Sequence, residues 1–466
     1  MSDPAVDPAV DSLPAGLFDG VLAAGPVRAA VSDRAWVQAL LDFETGLAAA
    51  QAEVGLIPVA HAQSIAAAGD ADDYDIAALG RGATGIGNPA APLVRALTER
   101  VEQTSSAAAR YVHLGATSQD VVDTAAMLVA RRALAALDTD LAATADLLAD
   151  LARRHRNTVQ AGRSLLQQAI PVTFGLTAAG WLSAVQAAAD RLTEVRGRRL
   201  AVQFGGATGT LASLGEHGPA VAVALARRLD LAEPLLPWHT DRTRIAELAG
   251  ALGAAAGVMA GIAQDIMLLA QTEVAEVYEQ GPAGSGGSST MPHKRNPVAA
   301  VSASGSARQA PGLVATLLAA MTHEHQRAAG AWHAEWLPLT ELLRSTGSAV
   351  SWLRTSLDRL VVDPERMRAN LDLTGGLLLT ERVVTELAGE VGRLAAHDAV
   401  TACAKRVAAG AGTLAELLAA DPLVGSRLGP DRIAELLDPA GYLGSAGVFV
   451  ERVLAAHDNR REGAAS

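Results

Sequence analysis

The stretch GGSSTMPHKRNP, residues 286–297, lies between two of the longest helical patterns in the chain. Its glycines can turn backbone N–H groups toward a negative charge, its hydroxyls can form short hydrogen bonds, and Lys294 adds a full positive charge. The same composition suits an ordinary flexible linker between two helices. It does not suit a phosphate-binding P-loop, because His293 precedes Lys294 and Arg295 follows it. The stretch therefore predicts either a linker or a mobile anion-binding loop.

The sequence on both sides of this stretch predicts an all-α protein. Aromatic residues make up 3% of the 466 residues, while Ala, Leu and Val dominate, which favours helices packed closely through small side chains. Several helical patterns exceed the ~11 to 12 residues of a typical helix. They cover residues 120–154, 171–198, 243–278, 296–321 and 335–361. Long helices of similar length indicate a bundle, and their broad apolar stripes predict a homo-oligomer, since they bury poorly within one chain.

We expect three helical domains after a short tail. Residues 1–16 should form a disordered tail, and residues 17–112 an N-terminal helical domain. Residues 113–362 should form the central long-helix bundle, with a mobile Gly- and Ser-rich loop over residues 281–296. Asp363-Pro364 marks the boundary to a small helical domain over residues 363–466.

Charge and cysteine content limit the partners and the compartment. The net charge is −12 and the Lys and Arg residues are scattered, which argues against nucleic acid or an anionic membrane as a partner. Cys403 is the only cysteine, so we expect no intrachain disulfide and a reducing, cytoplasmic location. The N-terminus lacks the features of a signal peptide. The apolar run over residues 248–263 is too short to span a bilayer and predicts a buried helix.

A first polar segment, YVHLGATSQD over residues 111–120, comes just before a long helical pattern. Thr117 or Ser118 could cap that helix, and Asp120 would favour its positive end. The same helix terminus could instead bind a substrate carboxylate. The sequence leaves both interpretations open.

Two further polar segments follow. Residues 162–171 offer one arginine and two amides before another long pattern, and HEHQR over residues 323–327 precedes WHAEW over residues 332–336. The histidines in HEHQR and WHAEW lack the His-Glu-x-x-His spacing of zinc hydrolases, so we expect no metal site. Either an exposed polar turn or an arginine and aromatic wall for an anionic substrate fits this region.

Together these segments resemble the fumarase/aspartase superfamily of homotetrameric, cofactor-independent lyases, and the resemblance covers nearly the whole chain. Residues 287–297 match its signature, and residues 117–125 match a second segment. Within the superfamily, the chain is similar to the family of bacterial 3-carboxy-cis,cis-muconate cycloisomerases, which lactonise a tricarboxylate. The segments that carry this similarity are residues 110–120, 203–207, 237–240, 332–336 and 371–374.

The resemblance implies residue roles, no cofactor, and active sites that combine segments of three subunits. Ser288 is implied as the proton-transfer residue, with Lys294 and Asn296 stabilising the charged carboxylate. His113 is implied as a second proton carrier, although it could equally hold the neighbouring loop in place. The side chains implied in binding the other substrate carboxylates are Thr117, Ser118, Gln167 and Arg327.

Two apolar residues distinguish the chain from many lyases of the superfamily. Leu165 and Val301 occupy the positions of a histidine and of the glutamate oriented toward it. A reaction whose nucleophile and leaving group are both carboxylates needs neither, because the carboxylate is already ionised at neutral pH. The pattern therefore favours a cycloisomerase. The alternatives are an adenylosuccinate lyase-like enzyme and a catalytically inactive, crystallin-like structural protein.

Overall fold

The computed structural model describes residues 16–282, 286, 287, 291 and 293–465, with side chains to residue 463. Helices dominate this part of the chain, which confirms the all-α prediction. Residues 1–15 of the predicted disordered tail, Ser288 and much of the predicted mobile loop lie outside the described residues.

The helices follow one another closely along the chain. Those of the N-terminal third are α1 Asp19–Leu22, α2 Val27–Ala30, α3 Asp33–Glu53, α4 Val59–Ala66, α5 Ile76–Ala83, α6 Ala90–Glu102, α7 Ser106–Ala109 and α8 Ser118–Arg154. Those of the middle are α9 Phe174–Arg198, α10 Gly218–Leu229, α11 Thr243–Leu269, α12 Val298–Ala307, α13 Ala310–Ala319 and α14 Ala331–Asp358. Those of the C-terminal part are α15 Pro364–Leu371, α16 Thr380–Val391, α17 Arg393–Ala408, α18 Leu414–Ala420, α19 Pro422–Leu436 and α20 Ala446–Ala465.

Side-chain caps start several of these helices. The Ser32 hydroxyl accepts from the Ala35 N–H at the start of α3, and Asp363 caps α15 in the same way. At α18, Thr413 and Glu416 form a reciprocal capping box. These caps satisfy backbone donors that would otherwise have no partner in the first helical turn.

Two small antiparallel sheets accompany the helices. Strand β1 Val159–Ser164 pairs with β2 Gln167–Thr173, and β3 Val277–Glu279 pairs with β4 Leu360–Val362. Leu165 and Leu166 form the two-residue turn of the first hairpin, with φ angles of 52° and 64°. Two consecutive left-handed residues give the twist that suits a tight hairpin.

Three of the predicted long helices are shorter or interrupted. The pattern from residue 171 begins as strand β2, and α9 starts only at Phe174. The pattern over residues 296–321 is divided into α12 and α13, where Pro311 occupies the first turn of α13 and cannot continue a preceding helix. The pattern over residues 243–278 ends as a helix at Leu269 and finishes in β3.

The chain forms two compact units. The first contains the described residues up to 142 with residues 187–261 and 301–353, and in it α3 packs against α4 and α10. The second contains residues 143–186, 262–300 and 354 onward, and α16 to α19 enclose an aliphatic core that includes Cys403. The three-domain division expected from the sequence stays a prediction.

Helix α11 is long and apolar enough, by length and composition alone, to cross a membrane. Its most apolar 18-residue window has a mean hydropathy of 1.7, and half of that window is buried inside the structure. Core helices of soluble proteins pass the same test.

Candidate functional site

The loop before α8 has a constrained backbone. His113 and Gly115 have φ angles of 61° and 77°, in the left-handed region that non-glycine residues seldom adopt. A Cβ on Gly115 would lie 2.5 Å from the Leu214 side chain, so only glycine fits here. The Gln51 amide donates to the Leu114 carbonyl oxygen at 2.7 Å. These contacts hold the backbone of the loop that carries His113.

His113 forms a short pair with a buried carboxylate of α3. Its Nδ1 lies 2.6 Å from Oε1 of Glu44, whose side chain is fully buried. Burial lowers the pKa of His113, but the charges of Glu44 and Asp120 and the Glu44 hydrogen bond outweigh it, so that the pKa lies above 6.5. The Glu44 carboxylate therefore stabilises the protonated form of the imidazole.

Asp120, in the first turn of α8, binds the preceding loop and a second loop. Its carboxylate accepts the N–H of Thr117 at 3.1 Å and those of Gly205 and Gly206 at 3.0 and 2.9 Å. The His239 Nε2 lies 2.6 Å from it. Asp120 is therefore buried, and its carboxylate holds the two loops together.

The structure corrects the predicted helix cap. Helix α8 begins at Ser118, and the cap comes from Asp120 through the Thr117 N–H. Within the described ranges, the hydroxyls of Thr117 and Ser118 make no hydrogen bond, and both residues are half-buried. These hydroxyls are available to a ligand.

Arg327 reaches the same place from the loop between α13 and α14. Its Nη1 donates to Oε1 of Gln119 at 3.0 Å, and its Nη2 donates to the carbonyl oxygens of Gly206 and Ala207 at 2.9 and 3.1 Å. Burial lowers the pKa of Arg327 while Asp120 and Asp123 oppose that shift. A cation with uncharged hydrogen-bond partners suits the binding of a carboxylate.

A buried ionic cluster that was not predicted from the sequence lies next to Gln119, the residue that binds Arg327. The Arg242 guanidinium binds Asp123 at 2.8 and 3.0 Å and Glu335 at 2.5 to 3.1 Å. The Trp332 indole also donates to Asp123, at 3.0 Å, and Arg242 lies 5.0 Å from the Trp238 ring centroid. Burial raises the pKa of Glu335, although the Arg242 guanidinium opposes this. The cluster joins α8 and α14 to Arg242, the residue just before α11.

The histidines of the third polar segment have separate surroundings. The His323 imidazole is fully buried, with Nε2 at 3.4 Å from Oε1 of Glu335. Nε2 of His333 lies 2.9 Å from the Gly87 carbonyl oxygen, and His325 is exposed. Among the described residues, no group of three or more His, Cys, Asp or Glu could hold a metal ion.

In the second unit, the β1–β2 hairpin carries the second polar segment. Gln167 is exposed beside the turn, and Leu165 is 97% exposed at its tip. Arg163 forms two hydrogen bonds with the buried Glu276, at 2.6 and 3.0 Å, and Asn370 donates to the same carboxylate at 2.8 Å. The arginine of this segment therefore has an internal partner, while Gln167 is free to meet another molecule.

The Gly- and Ser-rich loop over residues 281–296 also belongs to the second unit. Asn296 donates from its backbone N–H and its side-chain amide to the Gly286 carbonyl oxygen, at 2.9 and 3.1 Å. Lys294 is exposed, and Arg295 stacks over Tyr278. The Asn296 amide therefore closes the base of the loop and Lys294 presents its charge to solvent.

The structure thus places two groups of predicted site residues. His113, Thr117, Ser118 and Arg327 lie in the first unit, where hydrogen bonds through Asp120 and Gly206 link Thr117 to Arg327. Gln167, Lys294 and Asn296 lie in the second. Each group offers polar or cationic side chains suited to a small carboxylate substrate.

Comparisons with known proteins agree with this chemistry. A lyase family model matches residues 22–312, and a model of the adenylosuccinate lyase C-terminus matches residues 376–453. A Pseudomonas aeruginosa 3-carboxy-cis,cis-muconate cycloisomerase is 49% identical over 95% of this chain and 96% of its own. A Streptomyces davaonensis nitrosuccinate lyase is 44% identical over 95% of both chains. The crystal structure of the Pseudomonas putida 3-carboxy-cis,cis-muconate lactonizing enzyme superimposes with a TM-score of 0.90 at 44% identity, covering 95% of this chain and 99% of that one.

Proposed function

Because the chain belongs to the fumarase/aspartase superfamily of lyases, we propose that it lactonises 3-carboxy-cis,cis-muconate to 4-carboxymuconolactone, a step of protocatechuate breakdown in the β-ketoadipate pathway. The observation that carries this proposal is the nearly full-length similarity to cycloisomerases, at 49% and 48% identity. Positively charged side chains that act without a metal suit a substrate with three carboxylates.

The ring closure needs an anionic nucleophile and a proton donor. One substrate carboxylate attacks the β-carbon of a conjugated double bond, and the electron pair moves onto the neighbouring carboxylate to give an aci-carboxylate. The α-carbon then accepts a proton, which restores the carboxylate. Proximity drives the first step, because a carboxylate is already ionised at neutral pH. Stabilisation of the aci-carboxylate is the larger task for the protein.

The positions of Leu165 and Val301 support this reaction. Leu165 is 97% exposed at the hairpin tip, and Val301 is exposed in the first turn of α12. Neither side chain can exchange a proton, so neither of these positions supplies the acid that a basic leaving group needs. A lactone whose leaving group is a carboxylate requires none.

The proton chemistry is assigned to the Gly- and Ser-rich loop over residues 281–296. Ser288 delivers the proton to the α-carbon, and Lys294 stabilises the aci-carboxylate through its full charge. Asn296 contributes by holding the loop at Gly286 and by donating to the substrate. His113 is the second candidate proton carrier, and its pairing with Glu44 favours the protonated imidazole that could donate a proton.

The remaining substrate carboxylates are assigned to four side chains. Arg327 supplies the charge, and the free hydroxyls of Thr117 and Ser118 supply hydrogen bonds near it. Gln167 approaches from another subunit of a homotetramer, in which each active site combines segments of several chains. No cofactor or metal takes part, and the protein is soluble and cytoplasmic.

A second activity deserves a direct test because a nitrosuccinate lyase is 44% identical over most of the chain. Elimination from nitrosuccinate would release nitrite, which also leaves as a stable anion. Leu165 and Val301 therefore do not separate the two reactions. They do separate both from adenylosuccinate cleavage, where a nitrogen leaving group needs a proton.

The experiment compares kcat/KM of the purified protein for 3-carboxy-cis,cis-muconate, nitrosuccinate and adenylosuccinate. Cycloisomerase activity predicts the highest value for the first substrate, measured by the loss of its ultraviolet absorbance. A higher value for either of the others would replace the proposed function. Lack of turnover on all three would favour the crystallin-like alternative.

A further inference from the structure

Arg327 makes three hydrogen bonds, and all of them go to uncharged oxygen atoms. The acceptors are Oε1 of Gln119 and the carbonyl oxygens of Gly206 and Ala207. In the part of the chain that the structure describes, no carboxylate lies within ion-pair distance of Arg327, and its buried Nε–H has no partner. The guanidinium is therefore positioned without being neutralised.

Gln119 has a fixed amide orientation because its other end is also bound. Its Nε2 donates to Oδ2 of Asp123 at 3.0 Å and to the His239 carbonyl oxygen at 2.8 Å. A flipped amide would set its oxygen against two acceptors and its NH₂ against Arg327. The Gln119 oxygen consequently points at Arg327, and the residue is only 2% exposed.

Gln119 also separates Arg327 from a strong competitor. Oδ2 of Asp123 binds the Gln119 amide on one side and Arg242 on the other, at 2.8 Å. A carboxylate that met Arg327 directly would form an ion pair with it and occupy the donors that a ligand needs. The buried cluster orients the Gln119 amide, and the amide in turn orients Arg327 without placing a negative charge beside it.

The backbone next to the Gly206 acceptor is also held. Asp120 accepts the N–H groups of Gly205 and Gly206, which restrains the chain immediately before the peptide that presents the Gly206 oxygen. Gly206 has a φ of 67°, and a Cβ there would lie 3.0 Å from the Gly115 carbonyl oxygen. Two of the three neutral oxygens that Arg327 binds, those of Gln119 and Gly206, are therefore held by contacts of their own.

We propose that Gln119 is a positioning residue that aims Arg327 at one carboxylate of the substrate while keeping the guanidinium charge unpaired. This proposal rests on the proposed function, because it assigns a substrate carboxylate to Arg327. Burial, which lowers the pKa of Arg327, agrees with a cation whose missing partner is the ligand.

The test is a double-mutant cycle of Gln119→Met with Arg327→Met, measured as KM and kcat for 3-carboxy-cis,cis-muconate. Methionine keeps the length of glutamine but makes no comparable hydrogen bond. Gln119→Met should raise KM about 10-fold or more, because that is the size of effect expected when a charge-assisted hydrogen bond is lost. It should leave kcat within about 3-fold of the wild-type value. In the Arg327→Met background the same change should alter KM by less than about 2-fold, because nothing is left to position.

Gln119→Glu is a second variant of nearly equal shape, and it supplies Arg327 with an internal carboxylate. Its KM should rise at least as much as that of Gln119→Met. The matched control is Gln186→Met, which removes a buried, hydrogen-bonded amide in the second unit and should leave KM unchanged. Equal effects of Gln119→Met in both backgrounds, or a fall of kcat at constant KM, would overturn the proposal.

Failure of the proposed function would look different. If wild-type protein turned over nitrosuccinate instead, the same cycle measured with nitrosuccinate would still decide the role of Gln119. If the wild type turned over 3-carboxy-cis,cis-muconate and Gln119→Met had no effect on KM, the function would stand and the positioning role would fall.

Discussion

Replacement of Arg242 by methionine should destabilise the first unit strongly. Arg242 is almost completely buried, and its guanidinium is the shared partner of Asp123 and Glu335. Methionine would leave two carboxylates facing each other in a site that excludes water. Both must then either protonate or draw water into the core.

The size of the effect follows from these contacts. Removing one member of a buried ion pair costs about 3 to 5 kcal/mol, because the other charge stays buried without compensation. Arg242 serves two carboxylates, so the upper part of that range applies. With an m value of about 3 kcal/mol/M in urea, the unfolding midpoint should fall by about 1 M or more.

The assay is urea unfolding followed by circular dichroism at one fixed protein concentration, since oligomer stability depends on concentration. The matched control is Arg244→Met, two residues later in the first turn of α11, whose guanidinium donates to the Arg199 carbonyl oxygen at 2.9 Å near the surface. That change should cost no more than about 1 kcal/mol. Equal midpoints for the two variants would refute the view that the buried cluster supports the site.

Two further predictions concern the proposed chemistry. Because the pKa of His113 is raised in the folded chain, the stabilisation by Glu44 should be full below pH 6.5 and fade as the pH rises through that raised pKa. The difference in the free energy of unfolding between wild type and Glu44→Gln, measured by urea unfolding between about pH 5.5 and about pH 8.5, should decrease as the pH rises. A constant or increasing difference would contradict this prediction. Ser288→Ala should keep the oligomer and lower kcat at least about 100-fold. Near-normal turnover by this variant would show that Ser288 does not transfer the proton. The kcat of His113→Gln, measured beside it, would show how the two residues share this step.

Local patterns in the sequence predicted most of the helical architecture. The 3.6-residue period is a property of neighbouring residues, so α8 was expected from residue 120 and is observed from Ser118. The β1–β2 hairpin was missed because its strands are short and Ala- and Gln-containing, and because pairing with the other strand defines them. The break between α12 and α13 had a local signal in Pro311, which the helical period of the surrounding residues obscured.

The sequence named site candidates where they lie in compact segments. Arg327 and the loop before α8 were named in this way, and the structure brings them together, while their roles stay predictions. Arg242 was missed because its partners lie 119 and 93 residues away, and no local pattern reports such a pairing. Gln119 could have been found, since Asp123 lies four residues later on the same face of α8. Glu44 gave no signal, because one acidic residue in an amphipathic helix usually faces solvent.

The central claim is that this chain closes the lactone ring of 3-carboxy-cis,cis-muconate. The most direct measurement incubates the purified protein with this substrate in D₂O, follows the ultraviolet absorbance and identifies the product by proton NMR. We predict loss of the absorbance and one deuterium at the carbon next to a carboxylate in 4-carboxymuconolactone. Unchanged absorbance with wild-type protein that cleaves nitrosuccinate or adenylosuccinate would contradict the account.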